Sequence, residues 1–213
     1  MVQAQLSAQE LFRAAYDNRY TWDKNFPGYT ANVTYHRDGE TFTGTIKVGA
    51  DLKSEVSGID DEEAAKVVQG QLFEVAIHRV RRSFEATHGR NIFSYGETDA
   101  SGEVEILMGG KAEGDRYKLR NNEVSMVHRH IHGIVVTIHT DSSHDTGEGY
   151  LSHKYNSVYH DPNTGEKKGG YSTFEDEYEK VGDYVILNRR LIKTEGDTPA
   201  SQEFLFSNIQ LLE

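Results

Sequence analysis

The sequence predicts a mainly β protein of the α+β class, built on one large antiparallel sheet. Three observations carry that reading. The tight-turn dipeptides Asp38-Gly39, Asn121-Asn122, His132-Gly133 and Gly182-Asp183 each fall between runs of alternating apolar and polar residues, the pattern of two-residue hairpins. Only 3 prolines stand among 20 glycines, which suits many turns and few rigid linkers. Helical spacing is confined to two early segments.

Helix one opens at Ser7-Ala8-Gln9-Glu10, a capping box in which the Ser hydroxyl and the Glu side chain satisfy free amides reciprocally. Leu11, Phe12, Ala14, Ala15 and Tyr16 follow at helical spacing, and Phe26-Pro27-Gly28 is a stop signal. A hairpin comes next. With Asp38-Gly39 as the turn, Tyr35 faces Phe42, Val33 faces Gly44, Ala31 faces Ile46 and Tyr29 faces Val48. A slip of one residue would destroy that sorting of faces. A short third strand is expected from Leu52 to Val56.

Helix two is expected to start at Asp60, with Glu63 three residues on. Acids at its start and Arg79, Arg81 and Arg82 at its end suit the helix dipole. Val68, Leu72, Val75, Ala76, Val80 and Phe84 form an apolar stripe, widened by Phe73 and Ile77. Gly70 interrupts it, which predicts close approach of a neighbouring strand. From Asn91 onward only strands are expected: 91–97, 103–109, 115–120, 123–131, 134–140, 150–160, 167–179, 184–194 and 201–210. In the last hairpin, Gly182-Asp183 puts Tyr178 opposite Leu187, Phe174 opposite Leu191 and Asp176 opposite Arg189.

About a dozen strands in series accumulate twist, and open sheets of that size curl or close. The expected architecture is a highly curved, barrel-like sheet wrapped around one long and one short helix, in a single domain over residues 1–213. Helix two, about 24 residues and so roughly 36 Å long, is the expected plug.

Composition excludes several functions. The formal charge is −11, which disfavours nucleic acid and anionic membranes as general partners. There are no cysteines, hence no disulfides, zinc–cysteine sites, iron–sulfur clusters or thiol nucleophiles. Met1-Val2-Gln3-Ala4-Gln5 shows no signal-peptide pattern. No run approaches the roughly 18 apolar residues of a membrane span. A cytoplasmic location is the expectation.

Seven of the 10 histidines fall between residues 128 and 160. His128-x-His130-x-His132 on a strand would set three imidazoles on one face, a first candidate for a first-row metal. The flanking hairpins disagree on which face that is. The Asn121-Asn122 turn sets Tyr117 opposite Met126 and Leu119 opposite Val124, an apolar face whose parity the histidines share, whereas the His132-Gly133 turn sets Val127 opposite Ile138 and Ile131 opposite Ile134. Both hold only if a bulge near Met126–His128 switches the parity; the second assignment leaves the histidines mostly facing solvent. The glycine-rich segment from Gly109 to Gly114 lacks phosphate-loop spacing. The acidic stretch from Asp141 to Glu148 has its glycine out of phase for a calcium loop. Glu175, Asp176, Glu177 and Glu179 read as a solvated strand face, partly paired with Arg189 and Arg190. No catalytic residue and no cofactor is assigned. Trp22, Phe26, Tyr29, Tyr35, Phe42, Phe93 and Tyr95 are either core or the lining of an apolar-ligand pocket.

The opening helix followed by Phe26-Pro27-Gly28-Tyr29-Thr30-Ala31, then Gly149-Tyr150-Leu151, Asp161-Pro162-Asn163-Thr164-Gly165 and Gly182-Asp183-Tyr184, resembles an uncharacterised family of cyanobacterial and plastid proteins, a domain of unknown function. The expected architecture is similar to the half-barrel of periplasmic lipoprotein carriers. That resemblance implies a concavity for acyl chains, although this chain lacks the secretion signal and the lipobox cysteine. The leading expectation is non-catalytic binding of a lipid or pigment in the concavity of the sheet. A metal-dependent enzyme using His128, His130 and His132 is the first alternative. A protein-interaction module with an acidic surface is the second.

Overall fold

The computed structural model describes residues 6–213; the stretch Met1–Gln5, where the sequence predicts no signal peptide, lies outside the described residues. The elements follow in the order α1 (Ala8–Asp17), β1 (Gly28–Arg37), β2 (Glu40–Gly49), β3 (Ser54–Ser57), α2 (Glu62–Arg79), α3 (Phe84–His88), β4 (Asn91–Thr98), β5 (Val104–Gly110), β6 (Arg116–Arg120), β7 (Glu123–Ile131), β8 (Ile134–Asp145), β9 (Tyr150–His160), β10 (Lys167–Val181), β11 (Tyr184–Glu195) and β12 (Ala200–Leu211). The strands are hydrogen-bonded in the order β3-β2-β1-β12-β11-β10-β9-β8-β7-β6-β5-β4. The expected mainly β, antiparallel class is therefore what the chain adopts. The chain divides into two compact units, Met1–Tyr20 with Arg82–Ser172 and Thr21–Arg81 with Thr173–Glu213.

In the first unit α1 forms where the capping box predicts. The Ser7 amide donates to Glu10 Oε2 at 2.7 Å and the Glu10 amide donates to Ser7 Oγ at 3.2 Å. The helix buries Ala8, Phe12, Ala15 and Tyr16 against Phe84, Ile106, Met108, Tyr117 and Leu119. Phe12 is the hub of this core: its ring lies 4.8 Å from Tyr117, 5.0 Å from His88 and 5.5 Å from Phe93. The face of this unit's sheet is thus packed by α1, the expected short helix, together with α3.

The parity conflict in β7 resolves as a bulge. Leu119 pairs with Val124 and Lys118 with Met126, leaving Ser125 as the extra residue. Beyond it Val127 meets Ile138 and Ile131 meets Ile134. The His132-Gly133 reading holds beyond the bulge, whereas of the Asn121-Asn122 reading only Leu119 with Val124 holds: Tyr117 pairs with Val127, not Met126, because the bulge at Ser125 falls one position earlier than the sequence places it.

In the second unit the first hairpin has the predicted register: Tyr35 pairs with Phe42, Val33 with Gly44, Ala31 with Ile46 and Tyr29 with Val48. Asp38 and Gly39 both take positive φ, 49° and 90°, as a primed turn demands. β12 returns to pair with the far side of β1, and the Tyr35 and Phe204 rings stack at 4.6 Å.

Helix two departs from expectation at both ends. Asp61, not Asp60, is the cap; its side chain accepts from the Ala64 amide at 2.7 Å. The helix stops at Arg79, because Val80 is extended and a new helix starts at Phe84. It is 18 residues long, so Val80 and Phe84 leave its stripe. Val68, Leu72, Val75 and Ala76 are buried as expected, but Phe73 is 62% exposed and Ile77 39%. Gly70 faces open space, with nothing within 4 Å of where a Cβ would stand, so no strand approaches it.

Candidate functional site

The residues that gather most chemistry lie in the second unit, beneath α2. Polar contacts map the course of the helix. Near its start Glu63 meets Arg37 of β1 at 3.7 Å, and Gln69 Nε2 donates to the Ser54 carbonyl of β3 at 2.9 Å. Farther along, Arg190 of β11 donates from Nη1 to Gln71 Oε1 at 2.9 Å and to Glu74 Oε1 at 3.4 Å. At the end Arg79 Nη2 lies 3.4 Å from the Tyr178 hydroxyl of β10. The helix therefore crosses the sheet from β1 and β3 to β10 and β11.

Arg190 is the centre of this cluster. Its Nε and Nη2 donate to Asp176 Oδ1 and Oδ2 at 2.8 and 2.6 Å. The pair is almost fully buried, Arg190 at 4% and Asp176 at 1% exposure. Taking both charges from water costs several kcal/mol each, and the fork-to-fork geometry offsets that cost. The Tyr178 hydroxyl donates to Asp176 Oδ2 at 3.4 Å. Burial pushes the Tyr178 phenol well above its ordinary range, and the same holds for Tyr29. Both stay neutral near pH 7.

The expected pairing of the β10 acids with Arg189 and Arg190 is present, but Asp176 is buried and not on a solvated face. The hairpin pairing is corrected as well: Asp176 meets Arg190, not Arg189, while Arg189 binds Glu175 at 3.1 Å and Glu203 at 2.7 Å. The cause is the orientation of β11. Ile186, Arg190 and Ile192 are buried together on one side, and Asp176 joins them. A buried charged pair defeats a reading based on hydropathy, and the row that carries it, Tyr184, Ile186, Asn188, Arg190, Ile192 and Thr194, is too mixed in polarity to mark it.

The seven aromatic candidates fall in two places. Trp22, Phe26, Tyr29, Tyr35 and Phe42 lie in the second unit. Trp22 stacks on Phe26 at 4.0 Å, Phe26 meets Tyr184 at 5.0 Å, and Trp22 Nε1 donates to the Val185 carbonyl at 3.2 Å. Trp22, Phe26, Tyr29 and Tyr35 are each at most 4% exposed. Phe42 stacks on Tyr35 at 5.7 Å, nearer the surface. Phe93 and Tyr95 belong to the first unit: Phe93 packs on the Phe12 core, and the half-exposed Tyr95 donates its hydroxyl to the Leu6 carbonyl at 2.6 Å. Two open hollows, of about 390 and 600 Å³, lie elsewhere; Thr30, Asn32, Thr45, Lys47 and Asn208 help to line the first, Asp99, Glu105, Arg116, Lys118 and His139 the second.

The three histidines do not form one row. His132 occupies the β7–β8 turn with φ 48°, outside the strand that carries His128 and His130. The rings of those two stand 5.9 Å apart, edge to face. His128 Nδ1 is 2.9 Å from Thr137 Oγ1, and His130 Nδ1 is 3.0 Å from Asp115 Oδ1. His130 and His132 are exposed and His128 half-buried. The placement matches the solvent-facing assignment and supplies no converging third imidazole.

The family described as protein of unknown function (DUF3386) matches residues 3–212. The chain belongs to this family. No curated protein matches it. Among solved structures, a LolA-superfamily protein from Nitrosomonas europaea aligns over 98% of this chain and 95% of its own, with 8% identity and a TM-score of 0.38. A domain titled as an outer membrane lipoprotein-sorting protein, from Vibrio parahaemolyticus, aligns over 97% and 94% with 10% identity and a TM-score of 0.41. Likeness at that level says nothing of what this DUF3386 chain binds.

Proposed function

We propose that the protein binds a hydrophobic ligand, a lipid or pigment, on the sheet face that α2 covers. The observation that supports this reading is how the cover is fastened. Its buried side is small and aliphatic, Ala64, Val68, Leu72, Val75 and Ala76, whereas directional contacts to the sheet come from Glu63, Gln69, Gln71, Glu74 and Arg79. An acyl chain can replace aliphatic side chains at little change in buried apolar area, because the hydrophobic effect is not directional. The polar fastenings then set the cost of opening. Glu74 is 43% exposed, so its share of that cost is modest. Once α2 lifts, Arg190 loses Gln71 and Glu74 and has donors to offer a carboxylate or phosphate head group.

Two measurements test this. Organic extracts of the protein purified from its natural host should contain a lipid or pigment in near-stoichiometric amount. Titration with cis-parinaric acid should saturate, and Gln71→Ala/Glu74→Ala should bind it faster than the unaltered chain. A bare extract together with no saturable uptake by either protein would overturn the reading.

A further inference from the structure

We infer that His144 and His153 form a chelate for a divalent first-row metal ion of the zinc, nickel or copper kind. The two residues lie on neighbouring strands of the first unit, β8 and β9. Ser143 pairs with Ser152 and Ser142 with Lys154, which leaves His153 as an extra residue on β9. A bulge of this kind re-aims a side chain out of the regular pleat. Here it accompanies two imidazoles whose rings stand 4.5 Å apart, tilted by 55°. The nitrogens they would offer a metal lie within 4.8 Å of one another. Two nitrogens on one ion stand roughly 3–3.5 Å apart at zinc–nitrogen distances of about 2.0–2.1 Å, so a small rotation of the rings closes the gap. The pair differs from His128 and His130, which share one strand, stand 5.9 Å apart and have their Nδ1 atoms engaged by Thr137 and Asp115. His144 and His153 are both half-buried. Part of their rotamer freedom is therefore already lost, which lowers the cost of binding, while solvent still gives an ion access.

The donor atoms select the class of ion. Imidazole nitrogen suits zinc, nickel and copper, whereas calcium and magnesium take oxygen ligands. The chain has no cysteine, so no thiolate within the protein competes for the ion. Its formal charge of −11 favours the approach of a cation. Two imidazoles are fewer than the three or four protein ligands of tight zinc sites. The ion is therefore exchangeable, and water or a small anion fills its remaining positions. Bound there, it ties β8 to β9 beside the bulge, where the ladder between them is irregular. The inference concerns the first unit and stands apart from any ligand beneath α2.

The test uses the full chain and zinc alone. Isothermal titration should show a saturable equivalent, and Tm should rise by several degrees at a hundredfold excess over Kd. His144→Gln and His153→Gln should each weaken that equivalent at least tenfold, since one imidazole cannot chelate, and should abolish the rise in Tm. His128→Gln/His130→Gln should leave both in place. Zinc should also shield His144 and His153 of the unaltered chain from diethyl pyrocarbonate, read peptide by peptide in the mass spectrometer. That readout needs no variant to fold. Unchanged affinity in His144→Gln and His153→Gln, or shielding confined to other histidines, would overturn the inference.

Discussion

Arg190 and Asp176 form a two-pronged ion pair, at 2.8 and 2.6 Å, within the sheet side of the second unit. The guanidinium also reaches up to Gln71 and Glu74 on α2, so one side chain ties the helix to two strands. Breaking such a pair costs more than replacing it, because the surviving charge stays buried without its counter-charge. Asp176→Asn should lower the unfolding free energy by about 3 kcal/mol. Asp176→Leu/Arg190→Met should recover much of that loss. Urea unfolding of the two variants checks the claim; equal losses would mean the pair is not the unit that matters.

Gly70 offers the opposite change. It sits inside α2, faces open space, and would admit a methyl group with nothing within 4 Å. Replacing it with Ala restricts the unfolded chain and improves helix propensity, which should stabilise by roughly 0.5–1 kcal/mol. A Tm that falls instead would show that α2 needs a break at this position.

His88 predicts an acid-sensitive core. Its ring is 7% exposed among Phe12, Tyr16 and Phe84, and the Asn91 amide donates to Nδ1 at 3.0 Å. Burial first, then Arg129 and Arg19, pushes its pKa down from 6.5 to about 4. The folded state therefore holds fewer protons than the unfolded chain between those values. Stability should be intact above pH 6.5 and fall as pH drops toward 4, by on the order of 2 kcal/mol. In His88→Leu that part of the slope should vanish; thermal melts between pH 4 and 7.5 are the check.

The first hairpin was readable in the sequence because local turn chemistry and face parity agree there, and the succession of strands from Asn91 onward was readable from the turns alone, although parity misled in β7 and in the last hairpin. Asp38-Gly39 alone sets the pairing of β1 with β2. The return of β12 to β1 was not readable, since no turn joins those strands and only long-range packing, such as Tyr35 on Phe204, brings them together. The break after Arg79 was missed for a related reason: Val80 and Phe84 continue the helical period, and the Trp22 amide, which donates to the Arg79 carbonyl at 2.8 Å, lies far away in sequence. Arg190 was hidden by its charge. Pattern reading sends arginine to solvent, whereas Asp176, 14 residues earlier, makes burial tolerable.

The β7–β8 turn gives a last prediction, one that separates structure from metal chemistry. His132 and Gly133 carry φ of 48° and 81°, the left-handed region that a primed two-residue turn requires at both positions. Histidine tolerates that region less well than asparagine, whose short polar side chain bonds locally. His132→Asn should therefore stabilise the protein by about 0.5 kcal/mol. It should leave zinc binding by the full chain unchanged, because His128 and His130 sit on the strand and are held by Thr137 and Asp115. Isothermal titration with zinc beside a thermal melt reads both quantities. Lost zinc affinity would make His132 a ligand and overturn its assignment as a turn residue alone.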